Sequence, residues 1–183
     1  TGIYTLLIEG TGQSATSDYQ FIVQPLVDQQ YTLTLGELQQ GNLAFSGQQA
    51  IYHVEVSAAS LLYLDGLKNR SDLNWSLVNA SGEVIANRVF NQSDAQNGIG
   101  NYLLPVAAGQ YRLIISGNSG EYAFRLSDVV HQATPLNLGQ TINANLEPNS
   151  SHLYQLSLAA QTEYFLQLAG NNFSAKSFPA IVM

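Results

Sequence analysis

The sequence predicts an all-β chain of tandem antiparallel β-sandwich domains, jelly-roll-like in type, one complete and two partial. Three observations lead there. First, apolar residues recur at every second position: Tyr122, Phe124 and Leu126 alternate with Ala123, Arg125 and Ser127, and Leu73, Trp75 and Leu77 with Asn74 and Ser76. Successive side chains of a strand point to opposite faces, so this period marks strands with one buried and one wet face. No segment sustains the 3.6-residue period of a helix. Second, turn signals punctuate the alternating runs at Leu35-Gly36, Gln40-Gly41, Ser46-Gly47, Asp65-Gly66, Ser81-Gly82, Ala108-Gly109 and Ser119-Gly120. Third, the chain repeats itself. Gly2-Ile3-Tyr4-Thr5-Leu6-Leu7-Ile8-Glu9-Gly10 returns as Gly109-Gln110-Tyr111-Arg112-Leu113-Ile114-Ile115-Ser116-Gly117. Tyr19-Gln20-Phe21 returns as Tyr122-Ala123-Phe124, Leu35-Gly36 as Leu138-Gly139, and Tyr52-His53-Val54 as Tyr154-Gln155-Leu156. The four offsets are 107, 103, 103 and 102 residues.

A period near one hundred residues is that of a whole domain, and too long for a solenoid repeat of about 20–50. Residues 1–24 are therefore expected to supply the last two strands of a preceding unit. The complete unit spans 29–128. Its strands are expected near 31–36, closed by the Leu35-Gly36 turn, and 41–45, opened by Gly41. They continue at 50–57, carrying the alternation of Tyr52, Val54 and Val56, and at 60–66, closed by Asp65-Gly66. Further strands are expected at 73–79, with Leu73, Trp75 and Leu77 inward, at 83–89 after the Ser81-Gly82 turn, and at 101–105. The last two are 110–116, with Tyr111, Leu113 and Ile115 inward, and 121–127. Residues 133–183 supply the first four or so strands of a following unit. The linkers, Val23 to Gln30 and Val129 to Pro135, are short, so neighbouring units stand in a restricted orientation.

Composition narrows the function classes. Hydrophobic residues make up 45% of the 183, enough for real cores, while charged residues are only 10%, far below the usual quarter. With 6 Lys+Arg against 13 Asp+Glu the net charge is −7, so the basic footprint of a nucleic-acid binder is missing. Attraction to anionic lipid is excluded on the same ground, and no apolar run approaches the roughly 18–20 residues of a membrane helix. The chain has no cysteine, which fits either a domain with a proper core or an intracellular one and does not choose between them.

The order of short motifs is informative: Leu35-Gly36, Gly41-Asn42-Leu43, Ala50-Ile51-Tyr52-His53-Val54 and Ser71-Asp72-Leu73-Asn74-Trp75-Ser76-Leu77. Asn79-Ala80-Ser81-Gly82, Ala107-Ala108-Gly109-Gln110-Tyr111 and Gly120-Glu121-Tyr122 follow. This series resembles the bacterial pre-peptidase C-terminal (PPC-type) domain, and the resemblance covers the complete unit and both partial ones. It implies a β-sandwich of the kind found beside secreted proteases and in long bacterial surface proteins, hence an extracellular or cell-surface location. Two positions depart from the family pattern: Asn74 replaces the second acid of its Asp-x-Asp strand, and the 79–82 turn lacks proline. Some family members bind calcium through clustered acids near the domain start. Here Asp28 stands alone before Tyr31, so that site is not carried over.

Candidate chemistry is sparse. His53, His131 and His152 lie on a polar strand face, in a linker and in a turn, without the three or four converging ligands of a zinc site. Serines are abundant, but no Gly-x-Ser-x-Gly elbow occurs. The best oxygen-rich group is Asp65, Asp72 and Asn74, with Asn69 and Ser71 between. A calcium ion wants six to eight oxygens, which such a loop could partly supply. The bland reading is that Asp65-Gly66 is a turn and Asp72 holds the start of a strand through local hydrogen bonds. Trp75 is in phase with Leu73 and Leu77 and belongs to the core. Phe90 and Tyr102 flank the longest Gly/Asn-rich loop, 91–101; a ligand contact would fall on them, and the bland reading is a variable solvated insertion.

The expectation is a non-catalytic repeat module of a larger secreted or cell-surface bacterial protein. It would act as structural spacer, scaffold or adhesion element, with neighbouring repeats as its first partners and no cofactor, calcium being the one candidate. The alternative is an accessory module binding polysaccharide or a matrix protein for an attached hydrolase. Unchanged ligand retention after alanine substitution of Phe90 and Tyr102 would count against binding through that loop.

Overall fold

Nine strands divide between two sheets that face each other across one core, in a computed structural model that describes residues 2–10, 16, 18–23, 25–93, 102–148, 150–159 and 163–170. In chain order they are β1 (Gln29–Thr32), β2 (Leu38–Leu43), β3 (Gln49–Val56), β4 (Ser60–Gly66), β5 (Leu73–Asn79), β6 (Val84–Val89), β7 (Leu104–Val106), β8 (Gly109–Gly117) and β9 (Gly120–Asp128). The first sheet runs β1-β3-β8-β5-β6 and the second β2-β9-β4-β7. A 3-10 turn at Phe90–Gln92 follows β6. Pro105 is tolerated in β7 because that strand lies at a sheet edge, where a missing N–H breaks no central ladder.

The period-2 pattern explains the core. Tyr52, Val54 and Val56 of β3, Leu73, Trp75 and Leu77 of β5, and Leu113 and Ile115 of β8 point inward from the first sheet. Leu62 and Leu64 of β4 with Tyr122, Phe124 and Leu126 of β9 meet them from the second. A phenol pair ties the sheets inside this core: the Tyr52 and Tyr122 hydroxyls are 2.9 Å apart and buried. Burial pushes both hydroxyls above their ordinary pKa, so the pair stays neutral and each phenol can satisfy the other. The Tyr52 ring also meets Phe124 edge-on, with centroids 5.1 Å apart.

Of the glycines expected to mark turns, Gly41 lies inside a strand and Gly66, Gly109 and Gly120 are strand-end residues; in the first two a close neighbour explains the choice. Gly41 is in β2 because the Tyr122 ring fills the space of its missing side chain; a Cβ there would stand 2.2 Å from Tyr122 Oη. Gly66 ends β4, where a Cβ would approach the Phe90 carbonyl oxygen to 2.8 Å. In both, glycine serves close approach rather than chain reversal. The sandwich is antiparallel except at one edge, where β1 pairs parallel to β3.

Register fixes where the chain enters and leaves. Gln29 at the start of β1 lies beside Ala50, which pairs with Ile115 near the end of β8. Asp128 at the end of β9 pairs with Leu62 near the start of β4, at the end where β3 finishes and β8 begins. The chain thus enters the complete unit at one end of the sandwich and leaves at the other, a strand length away.

The flanking segments behave unequally. Among the described residues of 1–24 no strand forms, although two were expected. In the complete unit β8 is held between β3 and β5. On the other side, β10 (Thr134–Leu136) and β11 (Tyr154–Leu156) form a parallel pair in the register Thr134↔Tyr154, Pro135↔Gln155, Leu136↔Leu156. Moved back by the offsets 103 and 102, the first of these pairs becomes Tyr31↔Tyr52, the register of β1 on β3. Gly139, the counterpart of Gly36, repeats its left-handed conformation, with φ 78° against 84°. Residues 171–183 lie outside the described residues.

Candidate functional site

The structure does not bring Asp65, Asp72 and Asn74 together. Leu62 and Leu64 of β4 point into the core, so Asp65 lies on the outer face of the second sheet, opposite Arg125 of β9. Asn74 sits between the buried Leu73 and Trp75, so it is exposed on the outer face of the first sheet. The chain crosses from one sheet to the other between β4 and β5, and sheets pack about 10 Å apart. Three ligands of one ion cannot be drawn from two opposite outer faces, which corrects the expected calcium grouping. Among the described residues no group of three or more His, Asp or Glu is placed to hold a metal.

Asp72 has a different partner. Arg70 grips it with both ends of its guanidinium, Nε to Oδ1 at 2.7 Å and Nη2 to Oδ2 at 2.8 Å. The same guanidinium donates to the carbonyls of Glu121 at 2.9 Å and Ser119 at 3.0 Å, clasping the β8–β9 turn to the start of β5. The Arg70 hydrogen bonds hold the Asp72 carboxyl down at about 2. A depressed carboxylate stabilises the fold above its ordinary pKa and loses that contribution as pH falls through its folded value. Asp72→Asn is therefore expected to lower the urea midpoint at pH 7 and to converge on the parent as pH falls from about 4 toward 2. An undiminished gap at pH 2 would show that the carboxylate's charge is not what Arg70 uses.

The aromatic candidates divide. Phe90 is fully buried in the main core, so it presents no face to a ligand, contrary to expectation. Tyr102 is half-buried and packs on a second, small cluster formed by Leu61, Tyr63 and Leu103 on the outer face of the second sheet. Of the loop between them, residues 94–101 lie outside the described residues. Trp75 is buried as its phase required, and its Nε1–H donates to Ser93 Oγ at 2.7 Å. Among the histidines, His53 Nε2 is 2.8 Å from Gln30 Oε1 on an exposed face, and His131 Nδ1 lies 2.9 Å from Asp128 Oδ2. His152 stacks edge-on with Tyr154. The three rings thus turn to three separate partners, none of them a serine hydroxyl.

A polar network also forms at the end where the chain leaves the unit. Asp128 accepts the backbone N–H groups of Val130 at 3.0 Å and His131 at 2.9 Å, turning the chain over the outer face. Val129 and Val130 pack there on the Leu61–Tyr63–Leu103 cluster. Gln132 then reaches back, donating from Nε2 to the Leu35 carbonyl at 2.7 Å and accepting the Asp128 N–H at 2.9 Å. Gly36 leaves room for it, since a Cβ there would stand 2.6 Å from Gln132 Nε2. Beyond the linker, Arg125 Nη1 donates to Ser151 Oγ at 2.9 Å, and Ser151 lies 3.5 Å from Asp65 Oδ2. A polar cleft of about 330 Å³ lined by Gln132, Thr134 and His152 opens beside these contacts. Neither Gln132, Arg125 nor Ser151 stands out as a site residue in the sequence. The signal it does carry is the recurrence of Gln29 as Gln132 at the offset of 103.

No protein-family model matches the chain, and no curated protein matches it. Several solved structures are similar. One is the pre-peptidase C-terminal domain of a collagenase from Bacillus anthracis, at 16% identity and TM-score 0.39, covering 57% of this chain and 98% of that one. Another is the periplasmic inhibitor of g-type lysozyme from Aeromonas hydrophila, at 10% identity and TM-score 0.41, covering 55% of this chain and 96% of that one. The Salmonella Typhimurium inhibitor of the same kind matches at 9% identity and TM-score 0.40, covering 54% of this chain and 97% of that one.

Proposed function

We propose that this chain is a non-catalytic repeat module of a larger secreted or cell-surface protein, and that its work is to space or carry other domains along a line. The observation that carries this reading is the path of the chain, in at one end of the sandwich and out at the other. A domain whose termini meet adds a side branch; one whose termini lie a strand length apart adds length. The nine residues of β8 correspond to about 30 Å. The β10–β11 register, a copy of β1 on β3, supports a following unit of the same kind as the first partner. Extracellular or surface placement is supported by the sequence resemblance.

Small-angle scattering tests it on proteins of one, two and three successive units, each one period, 29–131, of the repeat. The maximum dimension is expected to grow linearly, by about 30–40 Å per unit. Growth that levels off, as for units folded back on one another, would overturn the spacer reading.

A further inference from the structure

We propose that the outer face of the second sheet, around Asp65 and Arg125, is a docking face for the first sheet of the next unit, so that successive units meet at one set angle. This inference rests on the spacer reading and deepens it, because it concerns the joint rather than the array.

The linker has almost no free length. Asp128 holds Val130 and His131, the outer-face cluster holds Val129 and Val130, and Gln132 is bonded at both ends of its side-chain amide. The next strand, β10, begins at Thr134, so only Ala133 separates it from a residue tied to the unit before. A linker anchored this closely cannot act as a swivel.

The second contact is made across the joint by side chains far apart in sequence. Ser151 precedes β11 by three residues, and moved back by 102 it corresponds to Gln49, the first residue of β3. It meets Arg125 and Asp65, which are cross-strand partners on the outer face of the second sheet. The docking face therefore consists of the Leu35–Gly36 turn, Asp65 and Arg125, and the partner is the β1-and-β3 pair of a following copy. Two points of attachment, Gln132 and Ser151, fix an orientation where one would leave a hinge.

The upstream linker carries the same signature in reverse. Leu26 and Val27 correspond to Val129 and Val130 at the offset of 103 and are exposed, at 53% and 67%. In an array they would lie on the outer face of the preceding unit, as Val129 and Val130 lie on this one.

The chain has no cysteine, so engineered thiols can report on the joint without background. Asp65→Cys with Ser151→Cys in the full chain is expected to react with a short bis-methanethiosulfonate crosslinker at least about tenfold faster than Glu121→Cys with Ser151→Cys. Glu121 shares the outer face of β9 with Arg125 but lies four residues away, about 14 Å along the strand. Adding Gln132→Ala is expected to bring the fast pair toward the slow one. Arg125→Cys with Ser151→Cys serves as a second near pair if Asp65→Cys does not fold. Equal rates for near and far pairs would overturn the docking face, and a fast pair indifferent to Gln132→Ala would overturn the role of Gln132. Scattering that stays linear while the rates are equal removes the joint and leaves the spacer; scattering that levels off removes the spacer itself.

Discussion

Replacing Trp75 with alanine is expected to lower stability by about 3–5 kcal/mol, a large share of what a domain of this size possesses. Three effects combine at this position. The indole is 1% exposed and stands among Leu73, Leu77 and Phe90, so its removal leaves a cavity at the middle of the core. It also leaves Ser93 Oγ without the N–H that bonds to it at 2.7 Å, in a buried setting where Ser93 donates onward to the Phe90 carbonyl. Finally, Arg88, which pairs with Trp75 across β5 and β6 and sits 5.8 Å from the ring centroid, loses the face it covers. Trp75→Phe separates the terms, since it keeps most of the volume and removes only the N–H. Its cost should fall to about 1–3 kcal/mol. Urea denaturation followed by circular dichroism measures both. A Trp75→Ala variant within about 1 kcal/mol of the parent would mean that the core closes over the gap and that the Ser93 hydroxyl finds another partner.

The burial of Trp75 is legible in the sequence alone, because Trp75 shares the phase of Leu73 and Leu77, and period 2 assigns faces without ambiguity. What period 2 does not carry is direction or sheet membership. Nothing in the alternation of Tyr52, Val54 and Val56 distinguishes a parallel neighbour from an antiparallel one, so the sequence gives no sign of the parallel β1–β3 pair. Nor does spacing along the chain reveal that β4 and β5 belong to different sheets. Asp65 and Asn74 are near in sequence and lie on opposite outer faces for that reason. Glycine misleads in a related way. Leu35-Gly36 and Ser81-Gly82 are turns, but Gly41 and Gly66 are strand residues chosen because another group occupies the place of a side chain. The occupant comes from a distant part of the chain, Tyr122 in one case and Phe90 in the other. The polar joint at Gln132 is hidden for the same cause: its partner, Leu35, is 97 residues away.

Gly117 turns this distinction into the second large prediction. It ends β8 with φ at 135°, in the region that side chains rarely adopt, and a Cβ there would stand 2.3 Å from the Asp72 carbonyl oxygen and 3.0 Å from Leu73 Cα. Both obstacles are backbone. Moreover Gly117 is the ladder partner of Leu73, so neither strand can retreat without breaking the pairing that positions Trp75 two residues on. Gly117→Ala is expected to cost about 3 kcal/mol or more, from conformational strain and overpacking together. Gly82 supplies the first control. Its φ is 89° but nothing lies within 4 Å of the added Cβ, so alanine there carries strain alone, about 1 kcal/mol. Gly10 supplies the second. It is the copy of Gly117 in the repeated segment, and nothing lies within 4 Å of its position. Gly10→Ala should change stability by less than about 0.5 kcal/mol. The same residue in the same motif then differs several-fold in cost between two copies, according to whether a β5 strand passes beside it. Equal effects at Gly10 and Gly117 in thermal unfolding would show instead that the local turn sets the requirement for glycine, and that β5 merely follows the path left to it.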